Sequence, residues 1–145
     1  MGRPYTQLYA HLVWATWDRM PLIRPDIQPI IYGCIQNQLW KHRCSVIAIG
    51  GIDDHVHVLT RFPSTATIAE IVKHAKGASS NLMTQEIARG EFFKWQGYYG
   101  AFTLSKGLIP RVRDYVLNQE EHHRLGRLSE ELERTTEPDS ERQAA

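Results

Sequence analysis

His55-Val56-His57 lies in a run, residues 54–62 (DHVHVLTRF), that alternates as a strand does. Alternation puts both imidazoles on one face and Val56 and Val58 on the other. Two imidazoles so placed can hold one divalent metal and leave positions open for a substrate phosphate. A bare HxH equally describes two half-exposed histidines, and without context that plainer reading is preferred. Other HxH chemistries fit less well. A histidine-triad nucleotide hydrolase needs a third alternating His where Leu59 stands, and twin His-x-Ser/Thr phosphoesterases need two such motifs. A barrel metallohydrolase needs a far longer chain.

A second constellation follows 60 positions after His55: Tyr115-Val116-Leu117-Asn118-Gln119, then Glu120-Glu121-His122-His123. On a helix Tyr115 and Gln119 are i and i+4 and share a face, with His122 a turn further along it. A phenol oxygen can attack a phosphodiester and form a phosphotyrosine. With a reference pKa of ~10 it needs activation, which a divalent ion supplies by stabilising the charge that develops. Gln119 can offer its amide oxygen to that ion. The plainer readings are a packing tyrosine and, for His122-His123, a solvated helix end, which is preferred for that pair.

Elements must carry these groups. Residues 5–17 read as a first strand and 25–43 as a helix, with Ile27, Ile30, Ile31, Cys34, Ile35 and Leu39 at helical spacing. Residues 44–49 read as a second strand, Gly50-Gly51 as a turn and 54–62 as a third strand. Thr67 and Glu70 have capping-box spacing for a second helix that ends before Gly90. An aromatic-glycine loop, 91–100, precedes a short strand at 101–105 and a third helix over 109–125. The order β-α-β-β-α-β predicts an α+β, ferredoxin-like (RRM-like) sandwich, with a four-stranded antiparallel sheet and a C-terminal helix carrying the tyrosine. Helices cover one face of such a sheet. The other is free for a ligand, a partner subunit or the extra helix.

The chain has 145 residues, 42% hydrophobic and 23% charged, and a formal net charge of +1. That suits a single domain and excludes a histone-like polymer and an acidic disordered chain. The charge is unevenly spread. Residues 1–124 hold 14 Lys+Arg and 10 Asp+Glu, whereas 125–145 hold 3 and 6. We therefore expect one mildly basic domain over 1–125 and an acidic, flexible tail over 126–145. No apolar run approaches the ~20 residues of a membrane span. Cys34 and Cys44 make no disulfide framework, and no signal peptide is read, so a cytoplasmic protein is expected. No phosphate-binding G-x-x-x-x-G-K-[ST] loop occurs, so no nucleotide cofactor is expected.

Nucleic-acid features accompany the two motifs. Lys73 and Lys76 are i and i+3 on the second helix, beside Gly77, Ser79 and Ser80, where a phosphate backbone could approach. Arg19, Arg111 and Arg113 are further cationic candidates. Trp95, Tyr98 and Tyr99 could stack on unpaired bases. The plainer readings are a solvated basic face and a satellite core under a loop, the latter preferred for Phe102.

Taken together, HLVWATWDRMPLI, GGIDDHVHVL, IVKHAKGASSNLM, FKWQGYYGAF and YVLNQEEHHR, spread over residues 7–124, resemble the single-tyrosine HUH transposases of small bacterial insertion sequences, which move as single-stranded DNA. The resemblance implies Tyr115 as nucleophile and His55, His57 and Gln119 as metal ligands. It implies Mg²⁺ or Mn²⁺ as cofactor, single-stranded DNA with hairpin ends as substrate, and a homodimer in which the tyrosine helix of one subunit can complete the other's site. The alternative is a domesticated, non-catalytic binder of single-stranded nucleic acid or hairpins on the same fold, which would need no complete set of site residues. A relaxase or replication-initiator nuclease fits less well, given the small size and the single helix-borne tyrosine.

Overall fold

The structure is a computed structural model that describes residues 2–125 and 130–136. Its strands are β1 (Leu8–Ala15), β2 (Ser45–Ile52), β3 (His55–Phe62) and β4 (Gly100–Thr103). Its main helices are α1 (Gln28–Lys41), α2 (Ile68–Leu82), α3 (Ile109–Leu117) and α4 (Gln119–Leu125), and a one-turn helix, α5, spans Glu130–Glu133. The four strands form one antiparallel sheet in the order β2-β3-β1-β4. This is the expected α+β sandwich.

One face of the sheet carries Ala10, Leu12, Trp14, Val56 and Val58. These pack against Ile31, Ile35 and Leu39 of α1 and Ile71, Val72 and Ala75 of α2. The α2 N-terminus is capped as its spacing predicts, the Glu70 N–H donating to Thr67 Oγ1 at 3.2 Å. Beyond Leu82 the chain continues as a π turn to Ile87, and Gly90 then takes φ +81°, a conformation suited to glycine.

The opposite face is covered by the chain's own C-terminal elements. Leu59 and Ala48 pack under Val112 and Val116 of α3, and α5 lies across β1 and β4. Two sequence expectations change here. Gly50 and Gly51 do not turn; they stay in β2, and the reversal falls at Asp53-Asp54. The helix expected over 109–125 is broken at Asn118 (φ −110°, ψ 32°) into α3 and α4. Asn118 bonds Asp114 O through both its backbone N–H (3.1 Å) and its side-chain amide (2.8 Å), which satisfies the broken turn locally.

Gly50 shows why α3 sits where it does. A Cβ there would lie 2.1 Å from the Val116 carbonyl oxygen, so only glycine admits this approach of β2 and α3. Gly100 does the same for the segment after α5, since its Cβ would lie 1.9 Å from Arg134 O. Among the described residues no helix is long and apolar enough to cross a membrane.

Candidate active site

His55 and His57 project from β3 on the face covered by α3, α4 and α5, and both are fully buried rather than half-exposed. The alternation of β3 does this: Val56 and Val58 enter the opposite core. Each ring has a partner at Nδ1. Asp54 Oδ1 is 2.7 Å from His55 Nδ1, and His11 Nε2 is 2.8 Å from His57 Nδ1. Both Nε2 atoms therefore face the space beneath α3 and α4.

Tyr115 reaches that space from α3. Its ring lies edge-on to His57, with centroids 5.7 Å apart, and stacks on His122 at 4.9 Å and 29°. Gln119 begins α4 and is buried. Its Nε2 donates to Tyr115 O at 2.9 Å, which fixes the amide so that Oε1 faces His55 Nε2 at 3.2 Å. Tyr115, His55, His57 and Gln119 thus meet within one chain.

Three further groups join them that sequence reasoning did not place there. His123 Nε2 is 3.1 Å from His55 Nε2. Its signal was present, because His123 follows Gln119 by four residues, one helical turn. Glu133 spans both strand histidines, with Oε2 at 2.5 Å from His57 Nε2 and Oε1 at 3.5 Å from His55 Nε2. No local pattern announces that contact. His11 is the third, reached diagonally across the β1–β3 pairing.

Burial and these contacts set the charges. Burial alone would depress His55, but hydrogen bonds to Asp54 and Glu133 outweigh it and raise its pKa to about 9. Burial lowers His57, and burial together with the neighbouring His57 drives His11 down to about 3. Burial also lowers His123, with repulsion from His55. Burial opposes ionisation of Glu133, yet its contacts with His55 and His57 hold it well below the usual carboxylate range. His55, His57 and Glu133 offer ligand atoms all within 4.8 Å of one another, a grouping able to hold a metal ion.

The nucleic-acid candidates separate. Arg19, Lys73 and Arg111 are exposed, and Tyr98 is 52% exposed. Lys76 is half-buried and donates to the Gln96 and Tyr98 carbonyl oxygens, at 2.5 and 3.4 Å, so it holds the aromatic loop. Tyr99 packs partly buried against the main core. Trp95 corrects its expectation as a base-stacking platform. It is buried, its Nε1 donates to Ser79 Oγ at 2.9 Å, and it meets Trp14 and Phe93 edge-on. An indole so satisfied on its polar edge belongs to the core. Ser79 likewise faces inward and lines no phosphate path.

The sequence matches the family model described as IS200-like transposase over residues 4–119. The chain belongs to that transposase family. Among solved structures it is similar to a candidate transposase from Deinococcus radiodurans R1, with 24% identity and a TM-score of 0.66 over 82% of this chain and 96% of that one. It is also similar to a REP-associated tyrosine transposase bound to a REP hairpin, with 11% identity and a TM-score of 0.64 over 88% of this chain and 74% of that one. At these identities the likeness is one of fold. No curated protein matches the chain. For this IS200-like family member, the fold therefore brings the HxH strand and the Tyr-x-x-x-Gln segment to one buried centre.

Proposed function

We propose that this transposase-family chain cleaves and rejoins single-stranded DNA through a covalent 5′-phosphotyrosine on Tyr115, and so moves an insertion sequence. The observation that carries this reading is the placement of the Tyr115 ring beside His57, with His55 and Gln119 in the same centre. The phenol gives up its proton and its oxygen bonds to phosphorus as the bond to the 3′-oxygen breaks. The 3′-oxygen takes up a proton and leaves as a hydroxyl. That hydroxyl, on the same or another strand, reverses the step. Bond energy is retained throughout, so no nucleotide is consumed.

The donor set fits a divalent cation, Mg²⁺ or Mn²⁺ in this reading. Asp54 accepts from His55 Nδ1, which leaves the His55 Nε2 lone pair for a ligand, and the His11 contact at Nδ1 turns His57 Nε2 toward the same space. The anchored Gln119 amide presents only oxygen. His55, His57 and Gln119 would hold the ion. When bound it polarises the scissile phosphate and offsets the charge developing in transfer. His122 clamps the Tyr115 ring by stacking, and the buried setting limits competing attack by water. Lys73, Arg19 and Arg111 would neutralise phosphates, and the exposed Tyr98 would stack on a base. The substrate class, single-stranded DNA with hairpin ends, is supported by the family match and by the hairpin bound to the REP-associated relative. A homodimer is part of this reading, but a second copy is not needed to bring Tyr115 to the histidines.

The test is direct. Protein, Mn²⁺ and a hairpin-bearing single-stranded oligonucleotide should give a protein–DNA adduct that survives a denaturing gel. Tyr115→Phe should give none. An adduct that persists in Tyr115→Phe excludes Tyr115 as the nucleophile.

A further inference from the structure

Three donor atoms in the buried centre form a nearly equilateral triangle. His55 Nε2 to Gln119 Oε1 is 3.2 Å, His55 Nε2 to His123 Nε2 is 3.1 Å, and His123 Nε2 to Gln119 Oε1 is 3.2 Å. Their hydrogen-bonding capacity does not balance. Gln119 Oε1 only accepts, because its amide nitrogen is committed to Tyr115 O. A neutral His55 that donates from Nδ1 to Asp54 has only a lone pair at Nε2. At most one proton, on His123, then serves both acceptors. The three atoms thus share a single proton, and a cation among them would engage a lone pair from each.

The size of the triangle suits a cation. Ligand bonds of about 2.1 Å set neighbouring donors about 3.0 Å apart at right angles and about 3.4 Å apart in a tetrahedron. The observed edges lie between these values. Glu133 Oε1 stands 3.3 Å from His123 Nε2 and 3.5 Å from His55 Nε2, so a carboxylate already borders the same space.

We propose that His123 is itself a ligand of the metal, completing a face with His55 and Gln119. The proposal rests on the reading of those two residues as ligands given above. It has a consequence for which ion is held. His123 adds an imidazole on the His55 side and so raises the nitrogen share of the donor set. Such a set favours Mn²⁺ and, still more, Co²⁺ or Zn²⁺ over Mg²⁺, which prefers oxygen ligands and retains its water.

The experiment uses the full chain without DNA, so it does not depend on cleavage. Co²⁺ binding is followed by its visible absorption, and Mn²⁺ and Mg²⁺ binding by calorimetry. The wild type should bind Co²⁺ and Mn²⁺ more tightly than Mg²⁺. His123→Ala should weaken Co²⁺ binding at least tenfold and alter the Co²⁺ spectrum, with a much smaller change for Mg²⁺. His123→Gln, which returns an oxygen donor and guards against a folding defect in the alanine variant, should narrow the gap between Co²⁺ and Mg²⁺. Melting in chelator checks that each variant is folded. An unchanged Co²⁺ affinity and spectrum in both variants, or equal losses for Co²⁺ and Mg²⁺, overturns the proposal. Metal binding that depends on His123 without any DNA cleavage would overturn the proposed function and leave this assignment standing.

Discussion

His11 Nε2 lies 2.8 Å from His57 Nδ1, both rings are fully buried, and they stack with centroids 5.0 Å apart. The pair joins β1 to β3 on the face that holds the candidate site. Burial keeps His11 neutral, its pKa lowered to about 3, so the two rings share one proton and the contact orients His57. Partners of this kind typically account for 10- to 100-fold in metal affinity. His11→Leu should therefore weaken Mn²⁺ binding by about that factor while His55 and Gln119 stay in place. Calorimetry on the folded variant checks it, and unchanged affinity would mean that the contact is packing alone.

Tyr115 stands beside the histidines of its own chain, with 5.7 Å between its ring and that of His57. Under the proposed function this placement leads us to expect cleavage in cis. A mixture of Tyr115→Phe and His57→Ala should form no adduct with a hairpin oligonucleotide, because neither chain holds a complete site. Adduct formation restored by mixing would show that the tyrosine helix passes between subunits.

Local periodicity made the first half of this site legible. Period two in DHVHV fixes the His55/His57 face, and the i, i+4 relation couples Tyr115 to Gln119. What the sequence could not show depends on distant pieces of chain. His11 reaches His57 across a strand register, and Glu133 returns from beyond α4. Trp95 was misread because its burial depends on Ser79 from α2. Gly50-Gly51 has the composition of a turn, yet it stays extended because α3 crosses there. His123 was available to the same i+4 argument as Gln119, but a helix-end histidine pair reads more readily as solvated surface.

Metal-free protein should be most stable near pH 6.5. His55 is raised to about 9, so its contribution is complete below the unfolded value of 6.5 and is lost as pH rises through about 9. His11 is lowered to about 3, so stability falls as pH drops below 6.5, where the unfolded chain binds the proton first. Each group gives a slope of at most about 1.4 kcal/mol per pH unit. Urea unfolding in chelator at pH 5, 6.5 and 9 checks both limbs. His11→Leu should make the acidic one shallower without abolishing it, because the lowered His57 and His123 act in the same direction, and a flat wild-type profile would contradict both assignments.

Gly50 tests whether the approach of α3 to β2 sets the active geometry. A Cβ at this position would stand 2.1 Å from Val116 O, 3.0 Å from Val116 C and 3.6 Å from Leu117 Cα, all backbone atoms that no rotamer change can move. Gly50→Ala must therefore push α3 outward and carry Tyr115, the residue before Val116, away from His57. Overpacking of this kind costs about 1–3 kcal/mol, and a misplacement of about 1 Å can cost about 100-fold in rate. The variant should lose adduct formation by about that factor at a temperature where circular dichroism shows it folded. Its metal affinity should fall too, because Gln119 and His123 ride on the same segment. Gly33→Ala is the control. It is exposed in α1 with nothing within 4 Å of the added Cβ, and alanine in a helix is about 0.5–1 kcal/mol better than glycine. It should melt higher than wild type and retain full adduct formation. If Gly50→Ala retains it as well, the close contact of β2 and α3 is not what positions the tyrosine.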